Sequence, residues 1–145
     1  SLHFDIRGTP DTWTPDGDKV CKRSYAAPGF SVLYSDEGAA ALAERRRTLA
    51  RTFADELSAV GFVPYDGAEY KGLYEGDPTA GVFVDRHEPQ KRIFILRRTS
   101  MPTVIIETYN ALGPREAEQW ESPAVRVAFA RVVARALATF FGSGG

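Results

Sequence analysis

The sequence predicts an α/β domain, because short strand-like apolar runs alternate with two long helical patterns. Residues 103–106 are apolar or β-branched, follow Pro102, and predict a buried strand. Apolar residues also recur at helical spacing over two longer stretches, 42–60 and 125–140. Strands that alternate with helices are typical of a sheet covered by helices.

Length and composition limit the classes of function. The 145 residues are the usual size of one domain, predicted at 1–142, followed by a disordered tail at 143–145. A net charge of −1, with acids and bases interspersed, argues against a nucleic-acid binder and gives no reason to expect membrane attraction. Cys21 is the single cysteine, which excludes an internal disulfide and a cysteine-rich metal site within the chain. No apolar run is long enough for a membrane span, and no signal peptide is recognised.

Residues 1–6 alternate between apolar and polar side chains, which predicts a short strand. The two-residue period places His3 and Asp5 on the same face. Such a pair can be a metal ligand beside a polar neighbour, or a solvated pair at a strand edge. The residues alone favour the solvated pair.

The next segments are predicted as a loop, a strand and a helix. Residues 8–28 are rich in Gly, Pro, Asp and Thr, as in a long loop, whereas 30–34 predict a strand. Ser35 or Asp36 could cap the following helix, which ends at Gly61. Acidic residues are interspersed among the arginines of this helix, so a solvated face is predicted for Arg45, Arg46, Arg47 and Arg51.

The middle of the chain carries tyrosines in a segment without apolar periodicity. Residues 63–81 are predicted to be loop-like, either a lid over a substrate or a surface excursion whose tyrosines pack back on the domain. Short strands are predicted at 82–84 and 93–96, joined by a hairpin connection at 85–90. His87 lies on that connection and is predicted to be solvated, because no second histidine stands at metal-ligand spacing.

Glu107 is predicted to end the buried strand that follows Pro102. A carboxylate there costs several kcal/mol unless it is paired, hydrogen-bonded or facing a cleft. Ligands often collect at the carboxyl ends of strands, so a functional site is one interpretation. A structural carboxylate satisfied by an arginine or a helix N-terminus is the other, and the residues alone leave both open.

Two helices are predicted after this strand. Pro114 can start a short helix through Trp120, and Ser122 with Pro123 supplies an N-cap and a first-turn proline for the last one. That helix ends near Gly142, and its predicted apolar stripe consists of Val125, Phe129, Val132, Val133, Ala136, Leu137 and Phe140.

Several of these segments resemble the zinc-dependent N-acetylmuramoyl-L-alanine amidases, a family of cell-wall hydrolases. Ser1-Leu2-His3 is similar to the Ser-Ile-His-Ala-Asn strand of that family, and Pro102 to Glu107 follows its Pro-x-x-x-x-Glu pattern. The strand at 30–34, the long helix, the segment 94–97 and the closing helices occur in the same order. The resemblance implies a mixed sheet with helices on both faces.

The resemblance also implies roles for individual residues. His3 would be one of three zinc ligands, and Glu107 would be the catalytic carboxylate. The other two ligands are a His in a Pro-Gly-His-type turn and a Glu, and both would lie upstream of Ser1. The chain would then be the C-terminal part of the catalytic domain. Asp5, where the family commonly has asparagine, is a candidate substrate-binding residue. Arg97, where these enzymes also carry an arginine, is either a surface residue or a contact for a carboxylate of the substrate or of Glu107.

The function implied is hydrolysis of the amide bond between N-acetylmuramic acid and the L-alanine of the stem peptide, with zinc as cofactor and peptidoglycan as partner. Because that substrate lies outside the cytoplasmic membrane, the resemblance implies a periplasmic or secreted protein. The alternative is a non-catalytic peptidoglycan-binding or structural domain that keeps the fold without zinc. Metal content separates the two.

Overall fold

A computed structural model describes residues 1–17 and 19–142, so the tail predicted at 143–145 lies outside the described residues. The strands are β1 (Leu2–Asp5), β2 (Asp11–Asp16), β3 (Lys19–Arg23), β4 (Ser31–Tyr34), β5 (Tyr74–Asp77), β6 (Val82–Asp85) and β7 (Ile105–Asn110). The helices are α1 (Ala40–Ala59), α2 (Phe94–Arg98), α3 (Pro114–Glu121) and α4 (Pro123–Gly142), with a 3-10 turn at Ala68–Tyr70. No helix within these residues is both long and apolar enough to cross a membrane.

Five strands form one mixed sheet in the order β1-β7-β4-β6-β5. β1 runs parallel to β7, and β4 runs parallel to β6. β7 and β4 are antiparallel, as are β5 and β6. The mixed sheet predicted from the resemblance is therefore confirmed.

Both faces of the sheet are covered by helices, as predicted. On one face, strand residues such as Val32, Val84 and Ile106 pack against the apolar stripes of α1 and α4. On the other face, Leu33, Phe83 and Ile105 pack against two buried tyrosines and Leu96 of α2. Burying each large apolar side chain contributes about 1.5–3 kcal/mol, so these two clusters fix the strands that carry the polar site.

The long loop predicted at 8–28 is wrong in its centre, because β2 and β3 form an antiparallel hairpin there. Most of the described side chains of these strands are exposed, so no apolar alternation marks them in the sequence. The hairpin is held by backbone pairing and by the Arg23 guanidinium, which lies 5.4 Å from the centre of the Trp13 ring. A polar two-stranded ribbon leaves little trace in a pattern-based prediction.

Two predictions in the middle of the chain are also wrong. The loop predicted at 63–81 contains the 3-10 turn and β5, which pairs with β6 as an edge strand. Its Tyr65 and Tyr70 are buried, which matches the interpretation of tyrosines that pack back on the domain. The strand predicted at 93–96 is instead α2, so the hairpin expected around 85–90 does not form. A short apolar run does not by itself distinguish a strand from a helical turn.

The C-terminal end of α1 was predicted correctly, whereas its N-terminal cap was not. Gly61 adopts φ +92° just beyond the helix, as expected for a C-terminal glycine, and its N–H is bonded to the Ser58 carbonyl. The predicted cap at Ser35 or Asp36 is wrong, since the helix begins after Ala39 without a side-chain cap. Asp36 instead forms an ion pair with Arg86.

Arg46 contradicts the solvated face predicted for the arginines of α1. Its side chain is completely buried, whereas Arg45, Arg47 and Arg51 are exposed. The guanidinium donates hydrogen bonds to the carbonyl oxygens of Ser35, Glu37 and Thr99. Arg46 thereby ties the start of α1 to the segment that leads into β7.

Candidate active site

Glu107 lies in the middle of a central strand rather than at a strand end. β7 continues through polar residues to Asn110, because its backbone goes on pairing with β1 beyond the apolar run. Glu107 is opposite His3 of β1 on one side and Ser31 of β4 on the other. Residues opposite each other in a sheet project on the same face, so these three polar side chains share one face.

His3 and Glu107 approach each other across the two strands. The His3 Nδ1 atom lies 3.8 Å from Oε1 of Glu107, and the two side chains are 51% and 12% exposed. The Nε2 atom of His3 lies 2.9 Å from the Ser1 hydroxyl. Within the described residues, the buried Oε2 atom of Glu107 has no hydrogen-bond partner. An exposed imidazole therefore stands beside a carboxylate that retains a free oxygen.

Asp5 lies on the same cleft as Glu107, and two side chains hold its carboxylate. Its Oδ2 atom accepts hydrogen bonds from Arg7 Nε at 2.9 Å and from the Tyr70 hydroxyl at 2.7 Å. The Tyr70 hydroxyl also lies 2.8 Å from the hydroxyl of Ser31. The register of β1 and β7 shifts between His3 and Asp5, so the pair does not follow a regular two-residue alternation.

Arg7 is part of this site and was missed in the sequence. Its side chain is buried, donates to the carbonyls of Ala27 and Gly29, and lies 3.9 Å from the centre of the Tyr65 ring. The available signal was its spacing two residues after Asp5, which places opposite charges on one side of an extended segment. Arg7 fixes the Asp5 carboxylate and compensates part of its charge.

A cleft of about 230 Å³ is lined by Asp5, Arg7, Tyr70, Tyr74, His87 and Glu107, whereas His3 lines a second groove with Phe4 and Trp120. Burial raises the pKa of Tyr74 to about 12, and the charges of Asp85, Asp5 and Glu107 act in the same direction. Burial and the Asp5 charge also raise the pKa of Tyr70. Both tyrosines are therefore neutral phenols at physiological pH. A larger groove of about 590 Å³ beside Phe62 and Trp120 contains none of the predicted site residues.

Burial raises the pKa of Glu107 from 4.5 to about 7. The Asp5 charge acts in the same direction, and the Arg7 charge opposes it. A carboxyl group with a pKa near 7 can both accept and release a proton at neutral pH, which is the property required of a general base and acid.

The raised pKa of Glu107 predicts a pH-dependent effect of Glu107→Gln on stability. The folded state holds the Glu107 proton more tightly than the unfolded state. The resulting contribution to the free energy of unfolding is therefore fully present below pH 4.5 and is lost as the pH rises through about 7. In buffer with a metal chelator, the free energy of unfolding of the variant relative to wild type should rise by about 1–2 kcal/mol from pH 4.5 to pH 8, after allowance for solvent screening. Urea denaturation at both pH values measures this difference. A stability difference between variant and wild type that stays the same at both pH values would contradict this prediction.

Arg97 does not contact Glu107. It lies in α2, it has no ion pair within the described part of the chain, and its buried Nε atom has no hydrogen-bond partner there. It is also not among the residues that line the cleft. A contact between Arg97 and a bound stem peptide stays a prediction.

The described residues fit part of a zinc site. Imidazole nitrogens are ligands that zinc accepts, and the imidazole of His3 is half exposed beside Glu107. Across residues 1–17 and 19–142, no group of three His, Cys, Asp or Glu side chains converges as a metal site. His3 is the zinc donor that the sequence resemblance assigns to this part of the chain, and that role stays a prediction.

Comparison with known proteins identifies structural relatives. No protein-family model and no curated protein sequence matches the chain. The fold is similar to the N-acetylmuramyl-L-alanine amidase Ami1 of Mycobacterium smegmatis, with 26% identity and a TM-score of 0.64 over 98% of this chain and 52% of that chain. It is also similar to the apo form of Ami1 from Mycobacterium abscessus, with 22% identity and a TM-score of 0.63 over 83% of this chain and 52% of that chain. The chain thus spans about half the length of these structures. The resemblance to the N-acetylmuramyl-L-alanine amidase family indicated by the sequence motifs is therefore confirmed by the structure.

Proposed function

We propose that this chain carries the catalytic carboxylate and one zinc ligand of a peptidoglycan amidase that hydrolyses the amide bond between N-acetylmuramic acid and L-alanine. The observation that carries the proposal is the 3.8 Å approach of His3 Nδ1 to Glu107 Oε1. The similarity to an N-acetylmuramyl-L-alanine amidase supports the choice of substrate. Peptidoglycan lies outside the cytoplasmic membrane, so the proposal includes a periplasmic or secreted location.

His3 would hold the zinc ion through a ring nitrogen, and the remaining ligands would come from outside the described residues. A zinc ion held there would supply a water of lowered pKa and a Lewis acid for the substrate carbonyl. His3 is more than half exposed, so its imidazole is accessible to an ion from solvent.

Glu107 would move the proton during hydrolysis. Its carboxylate accepts a proton from water while the water oxygen bonds to the amide carbonyl carbon. The C–N bond then breaks, and Glu107 returns that proton to the leaving nitrogen. The products are the lactyl carboxylic acid and the free amino group of L-alanine. A pKa near 7 suits both transfers.

Asp5 and Arg97 are proposed to contact the substrate. Asp5 is held by Arg7 and Tyr70 on the cleft beside Glu107, so its carboxylate can accept a further hydrogen bond from a peptide N–H. Arg97 is partly exposed, so a carboxylate of the stem peptide would meet the terminal nitrogens of its guanidinium rather than the buried Nε atom.

A second candidate is a non-catalytic peptidoglycan-binding domain that keeps the fold without zinc. Both candidates are compatible with the lack of a three-ligand group among the described residues, because the first takes its remaining ligands from elsewhere. The two functions differ in zinc content and in product release, because a binding domain would hold peptidoglycan without releasing stem peptide.

Replacing His3 by alanine should remove zinc from the intact protein. The expected loss of zinc affinity is at least about 100-fold, because even the outer hydrogen-bond partners of ligands account for about 10–100-fold. Elemental analysis and competition with a chromogenic chelator measure this loss. His87→Ala is the matched control, since it removes the only other histidine of the chain and should leave zinc bound. Full zinc occupancy in His3→Ala would exclude His3 as a ligand.

A further inference from the structure

We propose that His87 is a substrate-binding residue of the cleft, and that its Nε2 atom accepts a hydrogen bond from an N–H group of the peptide bound beside Glu107. The inference rests on the proposed function, because it assigns part of the same substrate. It corrects the prediction of a solvated turn residue, since His87 lines the cleft together with Glu107 and its side chain is 22% exposed.

Asp85 determines which ring nitrogen of His87 is available. The Asp85 side chain is buried, and its Oδ1 atom lies 2.7 Å from His87 Nδ1. The same carboxylate accepts hydrogen bonds from the backbone N–H groups of His87 and Ile93. An ionised carboxylate can only accept, so the hydrogen of the neutral imidazole must lie on Nδ1. Nε2 is then the nitrogen with a free lone pair.

Aromatic packing fixes the orientation of the imidazole. The Tyr74 ring meets the His87 ring edge to face, with centroids 5.1 Å apart, and Tyr74 also packs on Tyr70 at 4.5 Å. Within the described residues, Nε2 of His87 has no hydrogen-bond partner. A ring held by a carboxylate on one nitrogen and free on the other is preorganised to contact a ligand.

The charge of the cleft indicates the chemistry of that ligand. Glu107 and Asp5 line the cleft with His87, and the buried Asp85 stands behind the imidazole. The Arg7 guanidinium also lines the cleft, but it is already bonded to Asp5 and to two backbone carbonyls. Carboxylates favour N–H donors over anionic groups, so the peptide would present an amide or amine N–H to Nε2.

A purely structural role explains Asp85 better than it explains His87. Asp85 closes the turn through the backbone N–H groups of His87 and Ile93, and neither bond requires an imidazole side chain. The imidazole is therefore available for a contact that the turn does not need. Substitution of His87 should reduce peptide binding more than it reduces stability.

Binding of N-acetylmuramoyl-L-alanyl-D-isoglutamine to the chain tests this inference. The measurements use a Glu107→Gln background, which prevents turnover, and thermal melting establishes that each variant is folded. His87→Ala should weaken binding about 3- to 10-fold, as expected for the loss of one hydrogen bond. His87→Gln should lose less, because its amide oxygen can approach the position of Nε2. Glu88→Gln is the matched control, since Glu88 is exposed, pairs with Lys91 and should bind like the background.

The chain contains two histidines, so NMR of the imidazole carbons can follow His3 and His87 separately. This separates the inference about His87 from the proposed function, which depends on His3. A shift of the His87 ring on titration, together with weaker binding by His87→Ala, supports the inference. A shift of the His3 ring alone, with His87→Ala binding like Glu88→Gln, overturns it and leaves the proposed function standing. Absence of binding in every variant overturns both.

Discussion

Glu107→Gln should lower the release of stem peptide from sacculi by about 10²–10⁴-fold, the usual effect of removing a general acid or base. Glutamine keeps the size of the side chain but cannot accept a proton from water. Glu107 has a free oxygen and lies beside His3, so proton transfer would be lost while the surrounding sheet remains in place. The variant should fold, retain zinc and still bind peptidoglycan.

Glu75→Gln is the control for this experiment. Glu75 is an exposed carboxylate of β5 that pairs with Arg86, so its substitution should leave the rate nearly unchanged. Undiminished release by a folded Glu107→Gln protein would contradict the catalytic role. An unfolded variant would favour the structural carboxylate considered from the sequence.

Arg46→Ala should destabilise the fold by about 3–5 kcal/mol, because it leaves buried acceptors without donors and opens a cavity. The guanidinium serves three carbonyl oxygens that belong to the entry of α1 and to Thr99 ahead of β7. Removing it disconnects two segments that are far apart in the chain. Urea denaturation measures the free energy of unfolding.

Arg47→Ala provides the matched comparison on the same helix. Arg47 is exposed and pairs with Glu44, so its loss should cost less than about 1 kcal/mol. Arg46→Met tests the separate importance of the hydrogen bonds, since it restores volume but not donors and should stay about 2 kcal/mol less stable than wild type. Equal stability of the Arg46→Ala and Arg47→Ala proteins would contradict the clamp assigned to Arg46.

The parts of the fold that were predicted correctly are those with a strong apolar pattern. Most of the apolar stripes of α1 and α4 and the runs around Val32, Val84 and Ile106 form the larger core cluster, whereas Leu137 of the predicted α4 stripe is exposed. β2, β3 and β5 were missed because their side chains are largely polar or exposed and their pairing depends on the backbone. The short apolar run at 93–96 is compatible with either a strand or a helical turn. In the structure it is helical, and Leu96 packs in the smaller core cluster.

The site was only partly predictable for a different reason. His3 and Glu107 stand out through motifs, whereas Arg7 and Tyr70 join Asp5 through contacts between distant segments. Burial of Arg46 likewise depends on carbonyl oxygens from two segments that are distant in the sequence, so no local pattern indicates it. His87 looked like a turn residue because the sequence does not show that the turn borders the cleft.

End-group analysis of digested sacculi tests the central claim most directly. The proposed reaction breaks one bond, so new free amino groups of L-alanine should appear, in proportion to zinc occupancy, and should no longer form after chelation. Glu107→Gln should reduce them by the same factor as stem-peptide release. Zinc-loaded, folded protein that binds sacculi and yields no new L-alanine amino groups would contradict the account.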